Sequence, residues 1–181
     1  MLLDDMCRDH YVVAGTGSRK FFQLSKEQAK PVTERARRIL EGTLETHPDL
    51  LIMSGGAEGW DTAMALLAQI MKVPYVMCIP NRGYGDYYWR RNSLTGTDQS
   101  LLFKALLENA DAVEYTMEDV HGSDGLYVNG RHSNFLRNDR MVELADAFIV
   151  YDPSSRGTRD CFRSIKAANK PYRIVSRDEE K

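Results

Sequence analysis

Two stretches of this chain carry residue types that can hold an anion: Gly15-Thr16-Gly17-Ser18-Arg19 and Arg137-Asn138-Asp139-Arg140. Glycine after a strand lets main-chain N–H groups approach negative charge, and a helix N-terminus adds partial positive charge. Thr16 and Ser18 contribute hydroxyls, and Arg19 a guanidinium. Arg137 and Arg140 stand at i,i+3, which places two side chains on one helix face, as a phosphate clamp would need. Ser154-Ser155-Arg156-Gly157-Thr158 is a further anion-friendly turn at a helix start. Ser54-Gly55-Gly56-Ala57-Glu58-Gly59-Trp60-Asp61 combines a glycine pair with two carboxylates. Here Ser54, Gly55 and Gly56 suggest a backbone nest for a phosphate or ribose, and Glu58 or Asp61 a proton-transfer group whose pKa a crevice would raise. Asp61 is equally a candidate N-cap. GxGxxG and GxxxxGKS/T are both absent, so a standard dinucleotide or P-loop site is not indicated.

These stretches need elements to position them. Tyr11–Ala14, Leu50–Met53, Tyr75–Ile79, Ala112–Thr116, Ala147–Tyr151 and Tyr172–Val175 read as short strands. Between them, helical spacing marks a helix capped by Ser25 and passing Pro31, then Asp61–Lys72, Leu101–Asn109, Phe135–Ala145 and Thr158–Ala168. The alternation predicts an α/β fold with a Rossmann-like, doubly wound, mostly parallel sheet. Such sheets bind ligands at the carboxyl ends of their strands. The loops Gly15–Ser18, Ser54–Gly59 and Ser154–Thr158 each follow a strand and are expected to face one crevice.

Bulk properties narrow the partners. With 181 residues the natural expectation is one domain with a real core. The formal net charge of -2 argues against duplex DNA or a polybasic membrane contact, both of which need excess Lys and Arg. Cys7, Cys78 and Cys161 are widely spaced, with no CxxC, so neither a disulfide framework nor a zinc site is expected, and a reducing cytoplasm fits. The start MLLDDMCRDH does not read as a signal peptide, and no apolar run reaches membrane-span length. His121, His132, Asp119 and Asp124 share a polar loop but read as surface residues, so no metal and no cofactor is assigned. Arg82, Arg90 and Arg91 interleave with Tyr84, Tyr87, Tyr88 and Trp89, a base-stacking composition that equally suits a small local core or an interface between copies in a homo-oligomer.

The segments VVAGTGSRKF, LIMSGGAEGWDTAMALLA, RNDRMVELADAFIVY and SSRGTRD together resemble the SLOG superfamily. That group joins the DNA-processing protein A fold and the "lonely guy" phosphoribohydrolases. The pattern is most similar to a small bacterial and phage branch with TGSR, GGAxGxD, RNxxM and GRGTxD motifs. The resemblance covers residues 11–80 and 135–175 of one domain, 1–181, and leaves 81–134 as an insertion. It implies a Rossmann-like fold whose nucleotide site is lined by Gly15, Thr16, Gly17, Ser18, Arg19, Gly55, Gly56, Asp61, Arg137, Asn138, Gly157 and Thr158. The phosphoribohydrolases resemble PGGxGTxxE, with a catalytic Glu last. Here that run is Pro153-Ser154-Ser155-Arg156-Gly157-Thr158-Arg159-Asp160-Cys161, so Cys161 stands at the Glu position and Asp160 is its nearest carboxylate.

The leading expectation is a module that binds a nucleotide or nucleotide-derived small molecule. Its phosphate would lie on Gly15–Arg19 and Ser154–Thr158, with Arg137 as counter-ion. The alternatives are an N-glycosidase acting on a nucleoside monophosphate through Glu58, Asp61 or Asp160, and a single-strand nucleic-acid binder.

Overall fold

The strand runs show almost no polar alternation, and such a strand needs cover on both faces. The computed structural model describes residues 2–91, 93–117 and 130–176, and shows that cover. β1 (Tyr11–Gly17), β2 (Leu50–Ser54), β3 (Tyr75–Ile79), β4 (Ala112–Tyr115), β5 (Ala147–Tyr151) and β6 (Tyr172–Val175) form one sheet in the order β4-β3-β2-β1-β5-β6. Every neighbouring pair is parallel. The architecture is the α/β, Rossmann-like one expected. β2 and β3 are buried at every position, which explains their unbroken apolar character.

Alternate residues of one strand serve opposite layers. Leu50 and Ile52 join a core with α2 (Lys26–Thr46), α3 (Trp60–Met71) and α4 (Ser100–Glu108). Leu51 and Met53 join a second core with α1 (Leu3–Arg8), α5 (Gly130–Leu144) and α6 (Arg156–Ala167). α2 starts with a capping box: the Gln28 amide donates to Ser25 Oγ at 3.3 Å and the Ser25 amide to Gln28 Oε1 at 3.1 Å. It runs through Pro31 without interruption. α6 begins at Arg156 and not at Thr158, which puts Arg156 and Gly157 in a helical first turn.

The stretch unmatched by any motif supplies α4, which packs in the first core, and the edge strand β4, which joins this same sheet. Before α4, Gly85–Arg91 forms a π-helical turn. Its Trp89 is fully buried, stacks on Phe103 at 5.2 Å and donates from Nε1 to the Gly56 carbonyl at 3.0 Å. Tyr84 is nearly as buried. Two of the interleaved aromatics therefore build core.

The topology sets the position of the crevice. β1 pairs with β2 on one side and β5 on the other, so the chain leaves β1 and β5 toward opposite layers. Trp60 braces this junction. It is fully buried, lies against Phe21 and Tyr151, and donates from Nε1 to the Ile149 carbonyl at 3.1 Å. Trp60→Ala removes that filling and strands a carbonyl partner. It should cost roughly 3–5 kcal/mol of unfolding free energy, read from urea denaturation; a loss near zero would show that the junction does not rely on it.

Candidate functional site

At the carboxyl ends of β1 and β5 lies a cavity of about 400 Å³, within the range of small-ligand sites. Thr16, Gly17 and Ser18 line it from β1, with Arg19 and Lys20 following. Ser155, Arg156, Gly157 and Thr158 line it from the start of α6. Ser155 is the N-cap of α6, yet its side chain caps no backbone N–H; its hydroxyl pairs with Thr158 Oγ1 at 2.7 Å. Among the described residues no side chain caps the first-turn amides of α6. Arg137 and Asn138 of α5 complete this part of the wall. The first and last of the expected loops, with the Arg-bearing helix, do meet in one place.

The glycine pair between them does different work. Ser54, Gly55 and Gly56 are buried and stand behind the cavity wall, which takes only Ala57 and Asp61 from this loop. Ser54 Oγ accepts from the Gly56 amide at 3.2 Å and donates to the Asp61 carbonyl at 2.9 Å. Asp61 Oδ2 accepts from the Ala57 amide at 3.3 Å. The Gly56 and Ala57 amides are bonded inside the turn, so the structure places Ser54, Gly55 and Gly56, expected to cradle a ligand, behind the lining and not in it. Gly55 must lack a side chain because the Arg137 guanidinium and the Asp61 carboxylate occupy the space a Cβ would need. Gly59, not Asp61, is the N-cap of α3. It has φ 90°, and a Cβ there would stand 2.6 Å from the Arg19 carbonyl oxygen. Gly15 is also placed apart from the site, inside β1 between Ser54 and Ile149.

Charge in the crevice is largely matched. Arg137 is buried; Nη1 donates to the Gly55 carbonyl and lies 3.4 Å from Asp61 Oδ2, while Nε donates to Asn138 Oδ1 at 3.0 Å. The expected counter-ion for a phosphate thus already has a carboxylate. Arg19 Nη2 donates to Glu58 Oε2 at 2.6 Å, and its guanidinium lies over the Tyr88 ring at 4.7 Å. Lys20 and Arg156 line the crevice, are exposed, and have no ion-pair partner among the described residues. Arg140 is not brought to this cavity. It turns away from the crevice and is held by Glu114, Asp4 and Glu143 at 2.8, 2.7 and 2.9 Å. One helical step of three residues turned it into an acidic surface groove with Glu114 and Asp139.

Of the three candidate catalytic carboxylates, Asp61 alone lines the cavity. Glu58 is fully buried behind Arg19, and Asp160 lies on α6 outside the lining. Burial pushes the Asp61 carboxyl up from 3.8 to about 6, against the lowering effects of Arg137, the Ala57 amide and Arg19. Burial likewise raises the Cys161 thiol to about 11, which leaves it protonated and poorly nucleophilic near neutral pH. Among the described residues no group of three or more His, Cys, Asp and Glu could hold a metal. The reading on Asp119, His121, Asp124 and His132 concerns side chains outside the description. No helix among the described residues is long and apolar enough to cross a membrane.

Several lining residues escaped the motif reading: Lys20, Ala57, Leu94, Asn134 and Phe135. Two had a signal. Lys20 follows Arg19 directly, and Asn134 precedes Arg137 and Asn138 by one helical turn. Leu94 reaches the wall only because the loop after the π-helical turn folds back.

No family model and no curated protein matches the chain. Solved structures do. The fold is similar to that of DNA processing protein A from Streptococcus pneumoniae, at 20% identity and TM-score 0.64, over 94% of this chain and 51% of the other. DNA processing protein A from Helicobacter pylori, whose structure was described for its single-stranded DNA binding mode, matches at 20% identity and TM-score 0.61, over 94% of this chain and 67% of that one. A structural-genomics target, TM1055, matches at 15% identity and TM-score 0.53, over 89% and 71%. The chain thus spans about half the length of the first neighbour. The fold implied by the SLOG resemblance is the fold observed.

A carboxyl that binds its proton more tightly folded than unfolded lowers stability as pH rises between its two pKa values. For Asp61 the more stable, protonated form is complete below about 3.8 and is lost as pH climbs through about 6. From about pH 4 to about pH 7 the wild type should lose roughly 3 kcal/mol of stability relative to Asp61→Asn. Urea unfolding of both chains across that window measures it, and a flat difference would rule the raised pKa out.

Proposed function

We propose that the crevice binds the phosphate of a nucleotide or nucleotide-derived small molecule. The observation that carries this reading is the meeting of two cations without counter-charge, Lys20 and Arg156, with the uncapped start of α6 at the point where β1 and β5 diverge. Anions are stabilised at such a helix start by its N–H groups and its dipole. Four cations, Arg19, Lys20, Arg137 and Arg156, face two carboxylates, Asp61 in the wall and Glu58 behind it. The surplus suits a phosphate monoester. The likeness in fold to DNA processing protein A supports a nucleotide or nucleic-acid ligand in general terms. Burial of Trp89 and Tyr84 leaves little of the aromatic platform that a long single strand would stack on.

A second reading rests on Asp61. A carboxyl in the crevice wall with a pKa of about 6 is poised for proton transfer, as N-glycosidic hydrolysis requires. Release of free base from nucleoside monophosphates, lost in Asp61→Asn, would establish it.

Binding is tested by thermal shift and calorimetry with inorganic phosphate, a nucleoside monophosphate and a short single-stranded oligonucleotide. A ligand at a hundred times its Kd should add about 2.7 kcal/mol of stability. The double variant Lys20→Ala/Arg156→Ala should weaken phosphate binding about tenfold, with a smaller salt dependence. Unchanged affinity in that variant would overturn the anion site. Tighter binding of the oligonucleotide than of the mononucleotide would move the reading to nucleic acid.

A further inference from the structure

The two ends of the crevice differ in kind. The end at Lys20, Arg156 and α6 offers donors and positive charge. The end at Tyr88 offers acceptors that lack donors. Asn134 lines the wall there; its Nδ2 donates to Tyr88 Oη at 3.4 Å, and its Oδ1 is buried with no hydrogen-bond partner among the described residues. Glu58 is fully buried, and its two oxygens are used unequally. Oε2 accepts from Arg19 Nη2 at 2.6 Å and from the Leu94 amide at 2.9 Å, while Oε1 has no hydrogen-bond partner among the described residues. Arg19 and Leu94 are themselves wall residues, so the carboxylate stands directly behind the lining. Arg19 also lies over Tyr88, which ties both acceptors to one corner. A buried oxygen without a donor costs the fold its desolvation, and a carboxylate oxygen more than an amide oxygen. Folded proteins leave few such atoms; here one belongs to the wall of a ligand-sized cavity and the other stands behind that wall, and the pair calls for an occupant.

We propose that the Tyr88 end is an acceptor subsite, in which Asn134 Oδ1 and Glu58 Oε1 take hydrogen bonds from O–H or N–H groups of the ligand. This rests on the phosphate reading of the other end. Together they define the ligand class: a phosphate monoester that carries hydroxyl or amine donors on the part remote from the phosphate. Arg19 and the Leu94 amide already hold Glu58 Oε2, so a ligand hydroxyl or amine that displaces part of this wall would pair with Oε1, a carboxylate oxygen that is acceptor-only when ionised. Sugar hydroxyls and an exocyclic base amine supply the same chemistry, and the probes separate them.

Calorimetry on the full chain with inorganic phosphate, ribose 5-phosphate, purine riboside 5′-monophosphate, adenosine 5′-monophosphate and adenosine tests this. The adenosine monophosphate should bind at least about tenfold more tightly than inorganic phosphate, the worth of one well-placed buried hydrogen bond. A gain already present in ribose 5-phosphate assigns the donors to hydroxyls; a gain that appears only between the purine riboside and adenosine monophosphates assigns them to the amine. Asn134→Leu removes one acceptor, and Glu58→Gln puts an N–H where Oε1 stood. Each should cut the ratio of adenosine monophosphate to phosphate affinity about tenfold. Circular dichroism and melting confirm that each variant folds, and Asn134→Leu carries the test if Glu58→Gln does not. Equal binding of all phosphates, or an unchanged ratio in the folded variants, overturns the subsite and leaves the phosphate site standing. Binding of adenosine without any binding of inorganic phosphate does the reverse, keeping the subsite and sinking the phosphate reading. Failure of every probe removes both.

Discussion

The contact between Arg137 and the turn after β2 is what the crevice depends on. Arg137 belongs to α5, in one helical layer, and Asp61 to α3, in the other. Their side chains meet at 3.4 Å across the carboxyl edge of the sheet, with the Gly55 carbonyl and Asn138 taking the remaining donors. Burial works against the Arg137 charge and the Asp61 carboxylate works for it, and the balance holds its pKa above the ordinary guanidinium value. A buried pair of this kind adds little net stability, but losing one partner leaves an uncompensated charge. Its structural effect is to fix how far apart the two layers stand at the mouth of β1. That distance is the width of the site.

The same contact explains the composition of the SGG turn. Two adjacent glycines after a strand suggest a cradle for a ligand, yet here they are a cradle for the protein's own arginine. The Arg137 head fills the volume in which any larger residue at position 55 would place its Cβ. The cavity is lined instead by the loops after β1 and β5. Glu58 extends the logic outward. It neutralises Arg19, anchors Leu94, and thereby connects the β1 loop to the segment after the π-helical turn. The two carboxylates of one turn thus orient two arginines, one in each wall.

Aromatic residues divide in a similar way. Trp89 and Tyr84 share a sequence neighbourhood with Tyr88, and all look alike as candidates for base stacking. The π-helical turn points Trp89 inward to Phe103 and the Gly56 carbonyl, while Tyr88 stays on the crevice wall under Arg19. Wide π-helical spacing re-aims side chains relative to an α-helix, and periodicity arguments built on the α-helical repeat do not anticipate it.

Local chemistry determined the strands, most helix starts and the fold class, because β-branched runs, glycine loops and caps such as Ser25 act over a few neighbouring residues. It also marked Thr16–Arg19, Asp61, Arg137, Asn138 and Ser155–Thr158, since strand-to-helix turns in a parallel sheet must gather at one edge. Which of the marked residues line the crevice was decided only by tertiary structure. Arg137 and Arg140 share a sequence signature, but Asp61 captured one and Glu114 the other. Gly55 and Gly17 both read as loop glycines in the sequence, but Gly17 ends β1 at the cavity wall, while a helix from the far layer buried Gly55. These outcomes turn on charges and volumes brought together from residues far apart in the chain, and spacing along the chain carries no record of those distances.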